Sequence, residues 1–75
     1  MPKELEIDAL GLLCPLPVLR IQKKMRILET GDIVKVIADD PAALVDIPHY
    51  CSERGHTLLF HKQTDRGPLF VIRKA

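Results

Sequence analysis

Few residues in this 75-residue chain are equipped to do chemistry, and one of them has a distinctive setting. Cys14 stands three residues after Gly11 and directly before Pro15-Leu16-Pro17. A thiol acts as nucleophile or metal ligand through its thiolate. The residue before a proline is biased toward extended backbone. Pro15 suits the first helical position, and Pro17 still falls in the first turn, where no intrahelical N–H bond is needed. The spacing therefore predicts that Cys14 lies at or beside the N-cap of a helix. The positive end of the helix dipole favours an anion there, so a modestly lowered thiol pKa is expected. The two prolines restrain the backbone around the thiol and should present it in nearly one geometry. A structural cysteine that merely begins a helix is the other reading of the same placement.

The remaining chemistry-bearing residues have simpler readings. Cys51 shares i, i+3, i+7 spacing with Leu44 and Ile47, which predicts a packing residue on a helical stripe. His49, His56 and His61 lack compact ligand spacing, and no cysteine joins them in a zinc pattern, so no metal is expected. His56 follows Gly55 at a predicted helix end, where a cation favours the helix C-terminus. Asp39, Asp40 and Asp46 could be seen as a carboxylate cluster, but helix capping accounts for Asp40 and Asp46.

The elements that must position Cys14 can be read from periodicity. "ELEIDA" (4–9) alternates acidic and apolar residues, as a half-buried strand does. A helix is predicted over 14–30. It places Val18, Ile21, Met25 and Leu28 on a buried arc and Arg20, Lys23, Lys24 and Arg26 opposite, with Gly31 at its end. "DIVKVIAD" (32–39) reads as a central strand, apolar on both faces. The segment 39–55 reads as helical. Pro48 is expected to split it into a short turn near 41–45 and a main helix from about 47, starting near Asp46 and ending at Gly55. Strands at 56–62 and 68–74 should form a hairpin through "QTDRG". The expected fold is an α/β two-layer sandwich, β-α-β-α-β-β, with a four-stranded mixed sheet and both helices on one face. Leu5, Ile7 and Val36 join the helical stripes in the predicted core, with Leu44, Ile47 and Cys51 beside them.

Composition narrows the function classes. Residues 1–75 suffice for one small domain. Eleven basic against ten acidic residues give a net charge of +1, and aromatic residues make up 4%. That balance argues against direct nucleic-acid binding by charge or base stacking. The charged start "MPKELEID" and the lack of any long apolar run predict a cytoplasmic protein without a membrane segment, whose two cysteines are free thiols. No Ser/His/Asp set or glycine-rich phosphate loop is present, and no cofactor is expected.

The segments "DALGLLCPLP" (8–17), "ADDPAALVDIP" (38–48), "HYCSERGH" (49–56) and "VIRK" (71–74) together resemble the TusA/SirA family of bacterial sulfur-carrier proteins. Gly11 with Cys14-Pro15-Leu16-Pro17 is similar to the family's G-x-x-C-P-x-P motif. The resemblance implies that Cys14 accepts sulfane sulfur as a persulfide and passes it on, with Gly11, Pro15 and Pro17 as positioning residues. It also implies a sulfurtransferase with two kinds of protein partner: a cysteine desulfurase or other sulfane-sulfur donor, and a downstream acceptor. The relays such carriers serve include tRNA 2-thiouridine formation, cofactor assembly and sulfur metabolism. Leu13 and Leu16 stand where tRNA-thiolating members often carry charge, so the rim of this site is more apolar. Together with the basic residues Arg20, Lys23 and Lys24, one turn or more from Cys14, they form an expected docking surface for such partners. The competing reading is a non-enzymatic protein- or RNA-interaction module in which the cysteine is incidental.

Overall fold

The computed structural model describes residues 2–75. Alternation in ELEIDA produces β1 (Glu4–Ala9), with Ile7 and Ala9 buried and Glu4, Glu6 and Asp8 exposed. The chain continues through α1 (Leu16–Met25), β2 (Ile33–Ala38), α2 (Ala43–Arg54), β3 (Thr57–Thr64) and β4 (Gly67–Arg73). The sheet order is β1-β2-β4-β3. β1 and β2 are parallel, with Ile7 opposite Val36, and the other two pairings are antiparallel. The β-branched run of β2 thus occupies an interior position, as its two apolar faces require.

Residues of alternating parity carry the core. Ile7, Ala9, Val34, Val36, Ala38, Phe70 and Ile72 project from one sheet face into a single cluster with Ile21 and Met25 of α1 and Ala43, Ile47, Tyr50 and Cys51 of α2. Both helices therefore cover the same face, and the α/β two-layer sandwich is the one expected. Leu5 and Val18 pack against the cluster half-buried. Val71 on the opposite face is also buried, at 4% exposure, so neighbouring side chains shield that face in part.

Three local expectations require correction. First, α1 stops at Met25 rather than continuing to residue 30. The Asp32 carboxylate accepts the backbone N–H of Glu29 at 2.8 Å and that of Lys3 at 3.0 Å, while Asp32 N–H donates to the Glu29 carbonyl. This Asp-centred turn takes the Glu29 donor that a longer helix would need. Gly31 accordingly belongs to the turn and is not the helix terminator; Leu28 is still buried.

Second, α2 runs unbroken through Pro48, and Asp46 lies in its first turn rather than ahead of a separate helix. Proline removes one N–H, the donor that would meet the Leu44 carbonyl. Leu44 lies on the solvent side, so water can serve that carbonyl and the helix continues. Third, Leu44 is 47% exposed rather than packed beside Cys51. The buried stripe is Ala43, Ile47, Tyr50 and Cys51, and Ala43 takes the inner position in the first turn. Gly55 ends α2 as expected, with φ +75 and its N–H directed at the Cys51 and Ser52 carbonyls, a left-handed conformation that glycine adopts without a Cβ penalty.

Candidate functional site

The parallel pairing of β1 and β2 sets the site. Ala9 and Ala38 are partners at the ends of their strands, so the loop leaving β1 runs beside the loop leaving β2. The two carboxylates that follow β2 hold the loop that follows β1. Asp39 accepts the Gly11 N–H through both oxygens, at 2.9 and 3.1 Å. Asp40 Oδ2 accepts the Cys14 N–H at 2.7 Å, and its Oδ1 accepts the Ala42 N–H at 3.0 Å. One side chain thereby joins the cysteine loop to the turn that opens α2. Gly11 has φ +76, which a residue with a side chain rarely adopts, and this conformation aims its N–H at Asp39.

Cys14 is exposed, and Cys51 is buried. Cys14 lies directly beside the helix cap, as expected: Pro15 is the N-cap, and Pro17 is buried in the first turn. A groove of about 240 Å³ opens beside it between the two helices. Pro15, Val18 and Gln22 line it from α1, and Asp46, His49, Tyr50, Glu53 and Arg54 from α2. His49 and Glu53 pair across one helical turn at 2.7 Å.

The electrostatics reverse the expected direction for the thiol. Cys14 ionises above its ordinary range, chiefly through the neighbouring Asp46 carboxylate, with partial desolvation and the charge of Asp40 acting the same way. The dipole of α1 is outweighed. Pro15 at the N-cap and Pro17 in the first turn provide no N–H, whereas the two carboxylates are whole charges close by. Asp40 itself is held below the usual carboxylate range by the N–H groups of Cys14 and Ala42. At Cys51, burial pushes the thiol up to about 11.

The other sequence-predicted site residues divide between two places. Leu13 and Leu16 flank Cys14 and are 69% and 48% exposed. Arg20, Lys23 and Lys24 line the flank of α1 away from α2, beside Leu16, Leu19 and Ile27. Arg20 also donates to the Asp8 carbonyl at 3.3 Å. The α2 residues that share the groove with Cys14 were not singled out by sequence spacing, because only the packing of α2 beside α1 in the helical layer brings them there. The histidines are dispersed, and among the described residues no three His, Cys, Asp or Glu side chains gather as a metal site requires. His56 is no helix-end cation: its Nδ1 accepts the Ala75 N–H at 3.0 Å, a role for the neutral ring. Burial, with Lys74 and Arg54 nearby, lowers its pKa.

A two-layer β-α-β-α-β-β sandwich that presents one exposed thiol at the head of its first helix defines a small class of proteins. Residues 5–74 match the family described as "Sulfurtransferase TusA", and the chain belongs to that family. It is similar to the crystal structure of a SirA-like protein from Desulfitobacterium hafniense, with 29% sequence identity and a TM-score of 0.79. That similarity covers 95% of this chain and 96% of the other. Among the described residues no helix is long and apolar enough to cross a membrane.

Proposed function

We propose that this protein is a cytoplasmic sulfur carrier that takes sulfane sulfur on Cys14 as a persulfide and hands it to an acceptor protein. The observation that carries the reading is the exposed thiol of Cys14, held by Gly11, Pro15, Pro17 and Asp40 at the head of α1, in a chain of the sulfurtransferase family. Leu13, Leu16, Arg20, Lys23 and Lys24 are the surface on which donor and acceptor dock.

Transfer is an exchange at sulfur. Cys14 Sγ attacks the outer sulfur of a donor persulfide, a new S–S bond forms to Cys14, and the donor's S–S bond breaks. The donor cysteine leaves as a thiolate and recovers the proton that Cys14 gives up. Nothing is oxidised or reduced overall, and no external electron acceptor is needed. An acceptor thiolate then attacks the outer sulfur on Cys14 and repeats the exchange in reverse. This chemistry needs access and a fixed geometry rather than a deep pocket.

The test is direct. Incubation with a cysteine desulfurase and cysteine should add about 32 Da, one sulfur atom, to the intact protein. The adduct should be reversed by a reducing thiol and absent from Cys14→Ser. A protein that never gains the adduct would be better read as an interaction module.

A further inference from the structure

Two carboxylates lie next to the one exposed thiol, and the capping roles expected of them do not account for both. Asp40 is committed: its oxygens hold the N–H groups of Cys14 and Ala42. Asp46 is not the cap of α2, because that helix begins at Ala43 and its N-cap is Ala42. It faces Cys14 across the inter-helical groove. The other charged and titratable groups in this groove are also on α2. Glu53 is engaged by His49, and Arg54 lies two helical turns beyond Asp46, about 12 Å along the axis. Tyr50 is buried. The α1 wall contributes Pro15, Val18 and Gln22, none of which titrates. Cys14 therefore has carboxylates beside it, while Arg54, the permanent cation of this groove, is set at the far end of its α2 wall.

We propose that Asp46 is a positioning residue that holds Cys14 as a thiol in the unattached protein, and that a lysine or arginine of a docked partner frees it by taking up the Asp46 carboxylate. The proposal rests on the carrier reading for its purpose, and on the groove geometry for its substance. A carboxylate that lines the same groove as the thiol disfavours the thiolate through its own negative charge. Its basicity is too low to keep the proton, so it restrains the thiol rather than acting as its base. The upward displacement of the Cys14 ionisation by Asp46 agrees with that arrangement. A cation placed against Asp46 neutralises the opposing charge and turns the same site toward thiolate. Small electrophiles, which bring no such cation, meet a muted thiol.

Asp46→Asn tests this, since the amide keeps the shape and removes the charge. The rate of iodoacetamide alkylation is followed against pH, with a thermal melt to show that the fold is intact. The expected result is a lower titration midpoint and several-fold faster alkylation at neutral pH, with Asp46→Glu retaining the wild-type profile. An unchanged or raised midpoint in Asp46→Asn overturns the proposal. Sulfur loading provides the second arm. Loading from inorganic polysulfide should accelerate in Asp46→Asn, whereas loading from a cysteine desulfurase should not. Equal acceleration with both donors would overturn the partner's part in the release. Alkylation requires no sulfur transfer, so a shifted midpoint in a protein that takes up no sulfur would count against the carrier reading alone.

Discussion

The backbone N–H of Cys14 lies 2.7 Å from Oδ2 of Asp40, although the two residues are 26 positions apart in sequence. That contact fixes the loop carrying the thiol to the start of the second helix. The same carboxylate accepts the Ala42 N–H, so one side chain ties the cysteine loop to the turn that opens α2. The geometry of the thiol is thus set from both helices, and α1 alone does not define it.

The two cysteines should separate cleanly. Cys14→Ser replaces an exposed thiol by a similar shape, so its melting temperature should stay near wild type while sulfur loading vanishes. Cys51→Ser places a hydroxyl among Ile47, Tyr50 and the sheet core, at a site with 2% exposure. It should cost on the order of 1–3 kcal/mol if the hydroxyl finds no partner, while Cys14 still loads. Intact mass spectrometry paired with thermal melts reads both. Loss of loading in Cys51→Ser with an unchanged melt would make Cys51 a participant in transfer.

Alkylation of the native protein should also be selective. Cys14 is exposed, whereas the Cys51 thiol is buried and its ionisation lies at about 11. One equivalent of label should enter at neutral pH and the second only on unfolding, as peptide mapping would show.

The inner face of α2 can be tested by a pair of truncations. Ile47 has no exposure, and Ile47→Ala should cost roughly 2–5 kcal/mol through lost burial and a residual cavity. Leu44→Ala removes a largely solvated side chain and should stay within about 0.5 kcal/mol of wild type. Urea denaturation of both variants would decide between the buried stripe seen here and one that includes Leu44.

Mildly acidic pH should weaken the fold through His56. Its folded-state pKa is lowered, so the unfolded chain binds the proton more readily. The contribution is complete above the ordinary histidine value of about 6.5 and is lost as pH falls below it. Denaturation midpoints should decline over that interval in wild type. His56→Ala should be less stable above it and less sensitive to pH, because no half-buried ring is left to protonate. An equally steep decline in the variant would exclude His56 as the source.

A second acid limb should come from Asp32. The N–H groups of Glu29 and Lys3 lower its pKa, so its contribution is present above the ordinary carboxylate value of about 3.9 and is lost as pH falls through the folded-state value. Asp32→Asn should be less stable at neutral pH and flatter in acid. Equilibrium unfolding at graded pH values would measure both effects.

Much of the framework was legible from local pattern. The alternation of 4–9 and the β-branched run of 32–39 marked two strands within a residue of their observed ends, because a two-residue repeat needs no tertiary information. Ile21 and Met25, with Val18 half-buried beside them, were legible as the inner arc of α1 for the corresponding reason at helical period, whereas Leu28 is buried from the turn beyond the helix. The Gly11–Pro17 motif likewise singled out Cys14, the cysteine that the fold leaves exposed. What the sequence left open depended on contacts across the fold. The shortening of α1 follows from Asp32 capturing the Glu29 N–H, and the continuity of α2 through Pro48 follows from which side of the helix meets water. The environment of the thiol is the largest such case. Read along the chain, Cys14 meets the positive end of a helix; in the folded protein it also meets Asp40 and Asp46. The parallel β1–β2 pairing already places residues 39–40 beside the loop leaving β1, which is the signal that could have pointed to Asp40. The placement of Asp46 required the packing of α2 against α1. Charge at close range falls off with distance rather than with sequence separation, so only the tertiary structure could decide which field the thiol feels.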